Sequence, residues 1–256
     1  MSTTFDPAQL KIDTASIIPL YHQIKQNIRD LIENDILHSG DLLPSERELS
    51  EFYGVNRLTV RQALNDLVNE GMLRRQRGVG TFVAESKLTQ VLDRVLGFSE
   101  RIREAGHHPS SRQLALEIVP APVSVARRLG VMPGVSVYKL VRLRCSDEEP
   151  VMFETAYLPE VLFPGLASID FSNTSLYQIL SDRFNCLILE AEEQLEPVLL
   201  ADYEAKMLEV DPGIPGMLVK STSYNQFGKI VEIGKAVVRG DKARFMFHIR
   251  RHVNNQ

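Results

Sequence analysis

The chain has little cysteine, no long apolar run and no excess of positive charge, and each shortage closes off a class of protein. Its 256 residues include two cysteines, Cys145 and Cys186, 41 positions apart with neither a CxxC nor a histidine cluster beside them. The sequence therefore predicts no disulfide framework and no zinc or other metal site, and reads both as buried reduced thiols. No apolar stretch approaches the roughly 18 residues that a membrane span needs. The opening Met1 to Lys11 has no basic segment leading into an apolar core, so a cytoplasmic location with no membrane partner is expected. The formal net charge of −4 argues against a protein that coats nucleic acid through bulk positive charge. With 44% hydrophobic and 24% charged residues, the composition is that of an ordinary globular chain, long enough for two domains.

What is present is unevenly distributed. Between Arg57 and Arg77 there are five arginines (57, 61, 74, 75 and 77) against Asp66 and Glu70, a local balance of +3 inside an acidic whole. The surrounding residues read as a small helical domain over 17–84, preceded by a polar, aperiodic arm over 1–16. Pro19 suits a first helical turn, and Leu20, Ile24, Ile28, Leu31 and Ile32 recur at helical steps, predicting a helix that runs to about Leu37. Ser45 and Glu48 stand in the capping-box relation and open a short second helix that stops near Gly54. Asn56 caps a third helix whose core stripe is Val60, Ala63, Leu64, Leu67 and Val68, leaving Arg57, Leu58, Arg61 and Gln62 facing outward before Gly71 ends it. Residues 72–76 and 81–83 read as two strands around the turn Arg77-Gly-Val-Gly80.

Three helices and a ribbon of this kind make a winged helix-turn-helix, whose third helix enters the major groove and whose arginines reach guanine edges or phosphates. The segments Pro19-Leu-Tyr-His-Gln-Ile, Gly40-Asp-Leu-Leu-Pro-Ser-Glu-Arg-Glu-Leu49, Val55-Asn-Arg-Leu-Thr-Val-Arg-Gln-Ala-Leu64 and Gly71-Met-Leu-Arg-Arg-Gln-Arg-Gly-Val-Gly-Thr-Phe-Val83 resemble the DNA-binding domain of the GntR family of bacterial transcription regulators. The resemblance implies that Arg47, Arg57, Thr59 and Arg61 contact DNA, with Arg77 and Gly78 at the wing tip. Asn56 takes a place often held by Ser or Thr, and Arg75 adds a wing cation. Arg74 and Arg75 are expected to split, one outward and one laying its stem on the core.

After a linker over 85–91 the pattern becomes mixed, and the fold class expected for the whole chain is α+β: the helical head followed by a mostly antiparallel sheet with helices over 92–252. Short helices are expected near 98–105 and 123–129, and strands near 112–119, 135–145, 151–158, 217–224, 229–239 and 243–251. The hexad Leu129-Gly-Val-Met-Pro-Gly134 returns as Leu208-Glu-Val-Asp-Pro-Gly213, identical at four of six positions and 79 residues on, which predicts a duplicated helix, turn and hairpin unit. Within the first hairpin, strand alternation puts Arg142 and Arg144 on one face about 6 to 7 Å apart, a spacing able to clamp a phosphate or a carboxylate. A hairpin centred on Glu148 pairs Arg142 with Glu154. The competing expectation from spacing alone is a solvated sheet face with cross-strand ion pairs.

This second part is similar to the UTRA effector domain of the HutC-type branch of the same family, whose fold is like that of chorismate lyase. The matching segments are Arg142-Leu-Arg144, Pro150-Val-Met-Phe-Glu154 with Tyr157-Leu-Pro159, Ser175-Leu-Tyr177, Val231-Glu232, and Arg239-Gly-Asp241 ahead of Arg244-Phe245. The resemblance implies that Arg142, Arg144, Ser175 and Tyr177 hold an anion, that Glu154 and Glu232 orient a polyol, and that Phe98 and Ser99 close over the ligand. Tyr157 and Phe245 are expected in the core, and Ser175 suits a helix cap as well. The function expected is a homodimeric repressor that binds an inverted-repeat duplex and responds to a small anionic metabolite, a phosphorylated amino sugar or a carboxylate such as a histidine-breakdown product. Catalysis of the chorismate-lyase kind is disfavoured, for there is no nucleophile-base pair, no metal cluster and no phosphate-binding glycine loop between strand and helix. No cofactor is expected.

Overall fold

The structure is a computed structural model that describes residues 11–85, 87–92 and 94–247. It divides into two compact units, one ending at Lys87 and one beginning at Leu88.

In the first unit, α1 (Leu20–Glu33), α2 (Glu46–Tyr53) and α3 (Arg57–Asn69) enclose a core of Ile24, Ile28, Leu49, Val60, Leu64 and Leu67, the expected stripes. The Ser45–Glu48 capping box forms, Gly54 ends α2 in the left-handed region, and the Asn56 Oδ1 accepts the Leu58 amide to start α3. The wing follows as β1 (Leu73–Gln76) antiparallel to β2 (Gly80–Val83). Arg74 and Arg75 are both exposed, against the expected division in which one stem lies on the core; the Arg74 guanidinium lies 4.8 Å from the centre of the Phe82 ring. Two boundaries differ from expectation. The first helix ends at Glu33 rather than near Leu37, because the Ile36 and Leu37 amides both turn back to the Leu31 carbonyl. The expected arm over 1–16 is not free in its second half: the Gln23 side chain bonds both the amide and the carbonyl of Asp13, while residues 1–10 lie outside the described residues.

The second unit is built on a six-stranded antiparallel sheet. Its strands are β4 (Pro109–Pro120), β5 (Ser136–Ser146), β6 (Glu149–Pro159), β7 (Ile188–Leu199), β8 (Pro215–Asn225) and β9 (Ile230–Arg239), in the spatial order β4-β5-β6-β9-β8-β7. Helices α4 (Phe98–Glu104), α5 (Val123–Leu129), α6 (Leu176–Phe184) and α7 (Asp202–Met207) complete it. The duplication holds in detail. Ala121 N–H donates to Val135 O and Gly134 N–H to Ala121 O, just as Leu200 N–H donates to Ile214 O and Gly213 N–H to Leu200 O, each pair displaced by 79 residues. The units β4-α5-β5-β6 and β7-α7-β8-β9 thus meet along β6 and β9, the centre of a palindromic strand order.

Strand β7 was not among the expected elements; its glutamates and Pro197 suit an edge strand, which can turn Glu190, Glu192 and Glu196 to solvent and tolerates proline. The expected linker over 85–91 is corrected in its second half. Leu88–Val91 forms β3, which runs parallel to β10 (Ala243–Met246) and belongs to the second unit. The strand expected over 243–251 is accordingly observed to Met246, and 248–251 fall outside the described residues.

Candidate functional site

On the head, the side chains that sequence assigned to DNA lie where a duplex can reach them. Arg47, Asn56, Arg57, Arg61, Arg75, Arg77 and Gly78 are exposed and Thr59 is half-buried. Gly78 sits at φ 76 at the wing tip, a conformation that a side chain would strain. Asn56 spends its carboxamide oxygen on the Leu58 amide, so its observed work is capping. Arg47 lies 3.7 Å from Glu51 one turn on, both open to solvent. Arg61 and Arg75 both reach Glu46, an acidic neighbour that sequence reading did not single out.

In the second unit the pocket is a product of register. Arg142 pairs with Glu154 across β5 and β6, as the hairpin centred on Glu148 requires, and Glu154 pairs with Ala236 of β9. Ser223 of β8 pairs with Glu232 of β9 in the same way. Alternation sends all of these side chains to one sheet face, where residues of α4 and α6 join them in lining a cavity. Of the residues expected to bind effector, Phe98, Arg142, Arg144, Glu154, Ser175, Tyr177 and Glu232 line this cavity, and Ser99 touches it through Arg144.

The pocket has two chemically different ends. At one, the Arg142 Nη2 donates to Glu154 Oε2 at 3.0 Å, and the Arg144 Nη2 donates to Ser99 Oγ at 3.1 Å with its guanidinium 4.3 Å above the Phe98 ring. Both arginines are buried, at 3% and 2% exposure, and four of their N–H-bearing nitrogens, Nε and Nη1 of each, have no hydrogen-bond partner. Burial, with the like charge of Arg142 beside it, lowers the Arg144 guanidinium to about 9. Burial also pushes the Glu154 carboxyl upward, but the two arginines outweigh it and hold Glu154 below the ordinary range. The face is thus buried rather than solvated, and the cross-strand ion pair of the competing expectation forms on it between Arg142 and Glu154.

At the other end, Tyr177 OH lies 2.9 Å from Ser223 Oγ, and that hydroxyl donates to Glu232 Oε2 at 3.0 Å. Burial, then the charge of Glu154, raises the Glu232 carboxyl to about 7, and burial raises the Tyr177 phenol well above its ordinary value. This end offers hydroxyl and carboxyl groups that exchange hydrogen bonds with polar, uncharged or cationic parts of a ligand. Ser175 accepts the Gln178 amide as the α6 cap, the second of its expected roles, and its residue lines the cavity.

Sequence reading missed three features of the wall. Arg101 of α4 donates to the Leu96 carbonyl and pairs with Glu193 of β7 at 2.7 Å, closing one side across 92 positions of sequence. Gly234 leaves room for Ser221, whose Oγ would lie 2.3 Å from an added Cβ. Phe245, expected in the core, lines the cavity instead from β10. Arg239, from the same C-terminal motif, is structural: it is buried and bonds Asp241 and the Pro150 carbonyl. Among the described residues no group of His, Cys, Asp and Glu is arranged to hold a metal ion, and no helix is long and apolar enough to cross a membrane.

Comparison with known proteins finds matches to both parts of the chain. Residues 20–83 match the bacterial regulatory proteins of the gntR family, and residues 104–244 match the UTRA domain. The chain is 36% identical to the HTH-type transcriptional repressor NagR of Bacillus subtilis (strain 168), over 94% of this chain and 99% of that one. It is 29% identical to the mannosyl-D-glycerate transport/metabolism system repressor MngR of Escherichia coli (strain K12), over 89% of this chain and 94% of the relative. Among solved structures, PhnF from Mycobacterium smegmatis superposes with a TM-score of 0.64 at 29% identity, covering 89% of this chain and 99% of that one.

Proposed function

Because the chain belongs to the gntR family of bacterial regulatory proteins and carries a UTRA domain, we propose that it is a cytoplasmic, homodimeric transcriptional repressor that leaves an inverted-repeat operator when a phosphorylated sugar, an amino sugar in particular, fills the pocket. Residues 17–84 serve as the DNA-binding head, and the second unit serves to bind effector and to dimerise. A family of regulators, not of enzymes, surrounds it, and two relatives are named repressors.

The observation that carries the ligand class is the pair of buried guanidinium groups with four nitrogens lacking hydrogen-bond partners. Buried N–H groups without acceptors cost about 1 to 3 kcal/mol each, so an incoming anion recovers that cost and relieves the Arg142–Arg144 repulsion together. The Ser223, Tyr177 and Glu232 end then suits hydroxyls or an amine, which a bare inorganic anion lacks. Phe245 gives the pocket a wall on β10, and β10 is paired along its length with β3, the first strand after the head in the chain. A ligand that favours one placement of that strand pair over another would bias the heads, since only differential affinity shifts an equilibrium.

The test is a melting-temperature series on the full chain with glucosamine 6-phosphate, N-acetylglucosamine 6-phosphate, their unphosphorylated sugars, inorganic phosphate and small carboxylates such as urocanate. Stabilisation by the sugar phosphates alone is the expected result. Stabilisation by the carboxylates alone would replace the ligand class, and indifference to all of them would remove it.

A further inference from the structure

The DNA-facing side of the head holds a carboxylate that grips two of its arginines at once. Glu46 is the first residue of α2. Its Oε2 accepts from both the Nε and the Nη2 of Arg61, at 3.0 and 2.8 Å, and its Oε1 lies 3.4 Å from the Nη2 of Arg75. Arg61 belongs to α3 and Arg75 to β1 of the wing, so one side chain joins the helix and the ribbon that are to meet DNA. Arg57 and Arg77 form no ion pair among the described residues. A carboxylate in the first turn of a helix is favoured by the helix dipole, but that preference does not direct each oxygen to a different element. The wing is fixed to the approach of α2 through the backbone as well: the Leu43 amide donates to the Thr81 carbonyl and the Gly40 amide to that of Val83.

We propose that Glu46 is a specificity-determining positioning residue for DNA recognition. It holds Arg61 and Arg75 in a preset arrangement and sets a negative charge against the phosphates that would otherwise collect both guanidinium groups at any sequence. Arginine contacts to phosphate carry no sequence information, whereas a guanidinium fixed in direction can read a base edge. A competing carboxylate therefore weakens the contacts common to all duplexes more than those of the right one. The inference rests on the DNA-binding reading above and adds to it a residue outside the expected contact set.

The experiment uses the full chain and two duplexes, one of random sequence and one enriched from a randomised pool by the unaltered protein. Affinities are measured across a salt series for the unaltered protein, Glu46→Gln and Glu48→Gln. The Glu48 variant removes the same charge from the same helical turn, where Glu48 bonds Ser45 and neither arginine. Glu46→Gln is expected to bind the random duplex about three- to tenfold more tightly, with a salt slope steeper by about one to two as freed arginines take up phosphates. Its preference for the enriched duplex should fall by a similar factor, and Glu48→Gln should leave the preference where it was. An unchanged preference in Glu46→Gln, or an equal loss in both variants, overturns the assignment of Glu46 while the DNA-binding reading stands. If the unaltered protein enriches no sequence and binds neither duplex, both fall.

Discussion

In the head, Arg57, Arg61, Arg75 and Arg77 lie on the surface, whereas in the second unit Arg142 and Arg144 are almost wholly buried. The same side chain is put to two uses by its surroundings. An exposed guanidinium keeps its water until DNA arrives, and its attraction to phosphate is long-ranged, shared among several groups and weakened by salt. A buried one has lost its water already. It is short of partners and repelled by its neighbour, so an anion of the right size gains full-strength hydrogen bonds in a setting that salt screens little. The overall charge of −4 contains a local +3 between Arg57 and Arg77.

The comparison can be broken most decisively at the pocket. Replacing Arg142 and Arg144 together with alanine removes hydrogen bonds to a charged partner worth about 1.5 to 3 kcal/mol each. Stabilisation by sugar phosphates in a melting experiment should then vanish, with affinity down by two to four orders of magnitude. A second change concerns the neutral end. The Glu232 carboxyl is raised from 4.5 to about 7 in the fold, so between those values the folded protein holds a proton that the unfolded chain has released. Stability should therefore fall as pH rises from about 4.5 to about 7, by an amount bounded near 3 kcal/mol. Glu232→Gln should flatten that part of the profile in melts taken at pH 5 and pH 8.

At the head the expected effects are smaller and of another kind. Arg61→Ala should weaken binding to an enriched duplex by about ten- to a hundredfold, while the melting temperature barely moves. Asn56→Ala should do the reverse, costing the head about 1 kcal/mol through the lost Leu58 cap, as denaturant unfolding would read. A large binding defect with unchanged stability in the Asn56 variant would instead support its expected place among the DNA contacts.

The two regions also differed in how much of them the sequence disclosed. The head was legible because its signals are local: Ser45 with Glu48, Asn56 ahead of its stripe and the Gly78 turn each act within a few residues. The arginine end of the pocket was legible for a related reason, since alternation along β5 and the tight turn at Asp147–Glu148 fix Arg142 opposite Glu154. What stayed hidden needs partners far apart in the chain. Arg101 meets Glu193 only because α4 folds over β7, β3 finds β10 across most of the second unit, and Phe245 reaches the pocket through that pairing. Glu46, too, becomes notable only where Arg61 and Arg75 meet it.

The claim that joins the two regions is that an anion held by the buried arginines loosens the grip of the exposed ones. It is tested most directly by titrating glucosamine 6-phosphate into the complex of the full chain with its enriched duplex, beside the Arg142→Ala, Arg144→Ala double variant. The unaltered protein should release the duplex as the ligand saturates, and the double variant should bind the duplex equally well yet hold it throughout. Release from both proteins alike, or loss of duplex binding in a double variant that melts normally, would contradict the account.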